Sequence, residues 1–165
     1  MDNQSWYKAF CQRIDRLDKG SRVALKRSVG VMLTQADGKA ISAFYRCLLP
    51  TVPQKQEDKC FAVACMKCLW DPEEGPGLPA EQVIAQLVRD ETLSDSMKHR
   101  VEGLLDTAWD QDGFLLVKLC RFMKLLRQKT TMTVDFSLLL EDLIYWNSDN
   151  QSVQRKWARA IFCED

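Results

Sequence analysis

The chain has 165 residues, 46% of them apolar and 28% charged, with 23 Lys and Arg balanced by 23 Asp and Glu. This composition excludes a disordered polyelectrolyte and a uniformly basic nucleic-acid binder, and the length suits one compact unit or two small helical layers sharing a core. No run of 18 apolar residues occurs, and the start Met1-Asp2-Asn3-Gln4-Ser5 lacks the basic-then-apolar order of a signal peptide, so a cytoplasmic protein without membrane contact is expected.

Trp6, Phe10, Ile14 and Leu17 recur at spacings of four, four and three, which predicts an amphipathic helix over residues 5–17. Gly20 breaks it, and Ser21 is expected to cap a second helix through Val29. A third runs from about Ile41 to Leu48, after the loop Ala36-Asp37-Gly38-Lys39. Residues 54–70 form the most continuously apolar helical stretch of the first half.

Asp71-Pro72-Glu73-Glu74-Gly75-Pro76-Gly77-Leu78-Pro79 holds three prolines and two glycines and cannot continue a helix. The expected organisation is therefore a helical bundle over 1–71, a linker over 72–80 and a second bundle over 81–165. Pro79 begins a helix carrying Val83, Leu87 and Val88, and Ser94 or Asp95 begins another through Met97, Val101, Leu104 and Leu105. Asp110 to Gly113 turns the chain into a long helix over 114–128, and two more follow over 134–147 and 150–162. Only Thr130-Thr131-Met132-Thr133-Val134 looks strand-like, so the fold class is all-α, with eight or nine helices.

The zero net charge hides a segregation. Residues 1–50 carry 9 basic and 4 acidic groups, residues 51–117 carry 6 and 13, and residues 118–165 carry 8 and 6. The ends can meet a polyanion; the middle cannot. On helix 114–128, Leu116, Leu119, Met123 and Leu126 share one side while Lys118, Arg121 and Lys124 share the other, and no acid occurs between 113 and 134. A solvated helix face normally mixes both signs, so this unmixed basic face points to an outside anion.

Cys60, Cys65 and Cys68 have the spacing of three iron–sulfur ligands, yet they are interleaved with apolar residues and no turn wraps a metal. His99 is the single histidine, so zinc would also need distant thiols. All seven cysteines (11, 47, 60, 65, 68, 120 and 163) read as packing in a reducing compartment. Asp106, Asp110 and Asp112 flank a turn, where capping is the expected role. No nucleophile elbow, P-loop or dinucleotide signature occurs, so neither an enzyme nor a cofactor is expected. The five tryptophans lie on apolar faces and read mostly as core.

Several segments together resemble the small subunit of type I-E CRISPR Cascade complexes, the CasB family. They are Leu17-Asp18-Lys19-Gly20-Ser21 with Leu25-Lys26-Arg27, Ala43-Phe44-Tyr45-Arg46 with Pro50, Arg100 with Leu104 and Leu105, and Leu119 with Arg121. Asp135-Phe136 with Leu139, Leu140, Asp142, Leu143 and Trp146, then Trp157-Ala158-Arg159 with Phe162, complete the pattern. The resemblance implies a non-catalytic, all-helical subunit, present in two copies beside the backbone and large subunits. Such a subunit helps hold the hybrid of guide RNA and target DNA, and the displaced strand. It also implies that Lys26, Arg27, Arg46, Arg100 and Arg121 contact nucleic-acid backbone, and the helix projection adds Lys124. The competing reading is a helical protein–protein adaptor without nucleic-acid contact.

Overall fold

The computed structural model describes residues 3–75 and 77–163. Both chain ends beyond these bounds, and Pro76 of the proline-rich break, lie outside them. Among the described residues there are nine α-helices and no strand. Helix α1 spans Asn3–Asp15, α2 Lys19–Arg27, α3 Gly38–Cys47, α4 Glu57–Lys67 and α5 Ala80–Val88. Helix α6 spans Ser94–Leu105, α7 Phe114–Lys129, α8 Phe136–Ile144 and α9 Ser152–Phe162.

Aspartates set three of these starts. Asp18 accepts from the Ser21 backbone N–H at 3.0 Å, Asp37 from that of Ala40 at 2.9 Å, and Asp135 from those of Ser137 and Leu138 at 3.0 and 3.3 Å. The cap of α2 is thus Asp18 rather than Ser21, whose hydroxyl donates to the same carboxylate at 2.7 Å. Gly20 lies inside the first turn of α2 and breaks nothing. Asp110 accepts from the Asp112 N–H at 3.0 Å and turns the chain into α7.

Helix α4 explains why residues 54–70 are the most continuously apolar stretch of the first half. Its residues Cys60 to Met66 are all buried, because α1, α2, α7 and α8 surround it. A helix enclosed on every side is apolar on every side. Basic side chains from neighbours or from α4 itself then close helix ends: Arg13 donates to Cys47 O at 3.0 Å at the end of α3, and Lys59 to Ile144 O at 3.4 Å at the end of α8.

The proline-rich stretch is stitched down. Leu78 N–H donates to Thr133 O at 3.0 Å, and Asp135 N–H donates to Leu78 O at 2.8 Å, forming a lone parallel bridge between Leu78 and Val134. This bridge is what the strand-like residues 130–134 become. A Cβ on Gly77 would lie 2.4 Å from the Val134 carbonyl carbon, so only glycine permits the approach.

The two halves of the chain meet in one hydrophobic core. Helix α8 of the second half packs against α1 and α4 of the first, while α5 packs against α6, α7 and α9. At the far end, Trp146 and Trp157 sit edge to face at 5.2 Å, both wholly buried. Trp146 donates to Thr107 O at 2.9 Å and Trp157 to the Asp142 carboxylate at 2.8 Å. The aromatic spacing of the last third therefore builds core.

Candidate nucleic-acid interface

Helices α6 and α7 pack side by side and leave a groove of about 490 Å³. Arg100 enters it from α6; Lys118, Arg121, Lys124 and Gln128 enter from α7; Phe122 and Leu125 supply apolar wall. No carboxylate lines it. Arg100, Arg121 and Lys124 are exposed, and among the described residues none of them has a carboxylate partner. Three cations left uncompensated along one groove make a strip of positive potential that a phosphate backbone can occupy.

Lys118 differs from its neighbours on α7. Its ammonium donates to Thr107 Oγ1 at 2.8 Å and to Gly103 O at 3.4 Å, tying the end of α6 to α7. The projection that set it beside Arg121 was right about the angle and silent about this inward reach.

The other basic positions lie on the first half of the chain. Lys26 and Arg27 are exposed at the end of α2, where cations also complement the helix dipole. Arg46 is engaged within the protein: its guanidinium donates to Ser21 Oγ at 2.6 Å and Ser42 O at 3.3 Å, and lies 3.5 Å from Asp18 Oδ1. It braces α3 against the start of α2, and a phosphate would have to compete with these partners. The six positions thus fall into one convergent set, Arg100 with Arg121 and Lys124, and three positions apart from it: the exposed pair Lys26 and Arg27, and the braced Arg46.

Sequence reasoning missed a recess between α2, the end of α4 and α7. It is lined by Lys19, Arg22 and Lys26 of α2, by Trp70, and by Arg127 of α7. The signal for the α2 cations was legible, since 19, 22 and 26 share a helix face; the approach of Arg127 was not.

The cysteines are free and, apart from Cys68 and Cys163, buried. Burial pushes the thiols of Cys11, Cys60, Cys68 and Cys120 up to about 12 and that of Cys47 to about 11. Burial also raises Cys65. A metal needs thiolates, and these surroundings disfavour them. Among the described residues no group of three or more His, Cys, Asp or Glu could hold a metal ion, and no helix is long and apolar enough to cross a membrane.

No curated protein matches the chain. Solved structures share its fold: CasB from M. ruber aligns with a TM-score of 0.74 at 22% identity, over 94% of this chain and 92% of its own. A Cse2-family CRISPR-associated protein from Thermus thermophilus aligns with a TM-score of 0.77 at 22% identity, over 98% and 99%. A chain of a CRISPR RNA-guided surveillance complex aligns with a TM-score of 0.75 at 24% identity, over 96% and 92%. The sequence pattern of the family described as CRISPR-associated protein Cse2 matches residues 13–162, nearly the whole length, and the chain belongs to that family.

Proposed function

We propose that this protein is the non-catalytic small subunit of a CRISPR RNA-guided surveillance complex, where it contacts nucleic-acid backbone and helps hold the guide RNA–target DNA hybrid and the displaced strand. Its partners in this reading are the backbone and large subunits, the guide RNA, the target DNA and a second copy of itself. Family membership and the chain of a surveillance complex that shares the fold support the assembly. The observation that carries the nucleic-acid role is the α6/α7 groove, whose Arg100, Arg121 and Lys124 converge without a carboxylate. Exchange of a DNA duplex for an RNA–DNA hybrid is nearly balanced in free energy, so a few backbone contacts are enough to tip it.

The adaptor reading keeps one specific observation. Phe114 and Val117 are exposed, at 61% and 37%, on the same face of α7 as Arg121. An apolar patch there suits a protein neighbour and is compatible with the complex as well.

The test is assembly followed by binding. Co-expressed with the other subunits, the chain is expected to co-purify with them and with a small RNA. Arg100→Ala, Arg121→Ala and Lys124→Ala together are expected to leave that assembly intact and weaken target DNA binding. Full assembly with unchanged target binding would remove the groove that carries the nucleic-acid role and favour the adaptor reading.

A further inference from the structure

We infer that the recess between α2, the end of α4 and α7 is a phosphate-binding pocket, built on Arg22 and Trp70 and flanked by Lys19, Lys26 and Arg127. It deepens the proposed function and rests on that reading for the polymer that would carry the phosphate, though not for the phosphate itself.

The recess has a volume of about 460 Å³. Two of its lining side chains have a buried donor with no acceptor: Nε of Arg22 and Nε1 of Trp70, the latter residue only 7% exposed. Buried polar groups in folded proteins almost always have partners, and these two orphaned donors belong to residues that line one recess, which leaves each able to take an acceptor from outside once neighbouring side chains shift. Among the described residues Arg22 has neither a carboxylate within 4.0 Å nor a side-chain hydrogen bond, although it is half-buried.

Arg127 is held in place. Its Nε donates to Leu69 O at 3.0 Å, Glu74 lies 3.1 Å from its Nη2, and its guanidinium stands 6.0 Å over the Trp70 ring. Lys19, Arg22 and Lys26 present one face of α2 to the same space. Two acids, Asp71 and Glu73, also line it. With Arg127 paired to Glu74, Lys19, Arg22 and Lys26 stand against those two acids and leave the pocket positive, and a guanidinium with an indole N–H offers donors that phosphate oxygens accept. A carboxylate would meet the same charge, but its two oxygens lie in one plane, whereas the oxygens around a tetrahedral phosphorus accept from donors on several sides.

The experiment follows the indole N–H resonances of the full-length protein labelled with nitrogen-15, with that of Trp70 assigned by its loss in Trp70→Phe. Two probes are titrated separately: inorganic phosphate and a single-stranded DNA oligonucleotide. Shifts of the Trp70 signal with both probes, weakened at least about tenfold in Arg22→Gln at unchanged helicity, are the expected result. Shifts with the oligonucleotide alone support a backbone phosphate as the ligand. Shifts with inorganic phosphate alone support the pocket and overturn the polymer as its source. No shift of Trp70 with either probe overturns the inference.

Failure of the inference is distinguishable from failure of the function. In assembled complexes, unchanged target binding by Lys19→Gln with Arg22→Gln, beside abolished binding by the α6/α7 groove variant, removes this pocket and keeps the subunit's role. Unchanged binding in both variants, with the Trp70 shift intact, removes the role and keeps the pocket.

Discussion

Trp157 on α9 donates its indole N–H to the buried carboxylate of Asp142 on α8 at 2.8 Å. Lys156, the residue before it, bonds the other oxygen of Asp142 and lies 3.7 Å from the buried Glu81 of α5. One carboxylate thereby fixes two helices, and the ammonium reaches the third. Asp142→Ala is expected to lower the unfolding free energy by about 3 kcal/mol, because it strands a buried donor and removes a partly buried ion pair. Trp157→Phe loses the hydrogen bond and also part of a wholly buried ring that packs against Trp146, so about 2 kcal/mol is expected. Urea unfolding followed by helicity measures both; a decrease for Asp142→Ala below about 0.5 kcal/mol, as for an ordinary surface site, would contradict this role.

The same cluster gives a pH dependence. Burial, followed by the nearby Asp142 carboxylate, raises the Glu81 carboxyl above its ordinary value of 4.5. The folded state then binds a proton more tightly than the unfolded chain, so stability falls as pH rises from 4.5 through the raised value. Burial opposes the charge on Lys156, but its hydrogen bond to Asp142 and the surrounding carboxylates outweigh that and raise it above 10.5. Its contribution is present below 10.5 and disappears at higher pH. Glu81→Gln is expected to remove the acid-side decline, seen as a melting temperature that rises relative to the unaltered protein as pH increases from 4.5 to neutrality. Parallel curves for the two proteins would show that Glu81 does not titrate as described.

Gly77→Ala sets a Cβ against the backbone of Thr133 and Val134 at 2.4 to 2.6 Å, so the bridge at Leu78 must open. Removing its two hydrogen bonds is expected to cost about 2 kcal/mol. Amide exchange at Leu78 and Asp135 should quicken selectively; unchanged exchange there would mean the bridge is not held in solution.

In the native protein, a thiol reagent is expected to react quickly with Cys163, which is exposed, more slowly with half-buried Cys68, and with the other five only on unfolding. Elemental analysis of anaerobically purified protein should find no stoichiometric zinc or iron. Bound metal that disappears on changing Cys65 and Cys68 to Ser would contradict the packing role.

All nine described helices were legible, because most faces alternate at helical spacing and aspartates mark several starts. The sequence boundaries erred where a cap was chosen among neighbours, as with Ser21 for Asp18, and where a 3-10 turn over Gln54–Gln56 precedes α4. Periodicity sees one helix at a time. It therefore found the basic face of α7 but not the approach of Arg100 to it, nor the convergence of Arg22, Trp70 and Arg127 from three segments. Neither the projection, for Lys118, nor the resemblance, for Arg46, could show the internal acceptors of these side chains, which lie on other elements or around the helix. The same unfolding experiments test whether residues 1–71 and 81–165 unfold separately. Because α8 packs on α1 and α4, we expect one cooperative transition.

The measurement that bears most directly on the nucleic-acid role is the salt dependence of target DNA binding by assembled complexes of equal subunit content. Each phosphate deprived of its cation should make the slope of log affinity against log salt shallower by about 0.9 on duplex DNA, or about 0.7 on a single strand. Arg100→Ala, Arg121→Ala and Lys124→Ala together are expected to flatten the slope by roughly two to three such steps and to weaken all target sequences alike, with the melting temperature nearly unchanged. An unaltered slope and affinity in that variant would contradict the account.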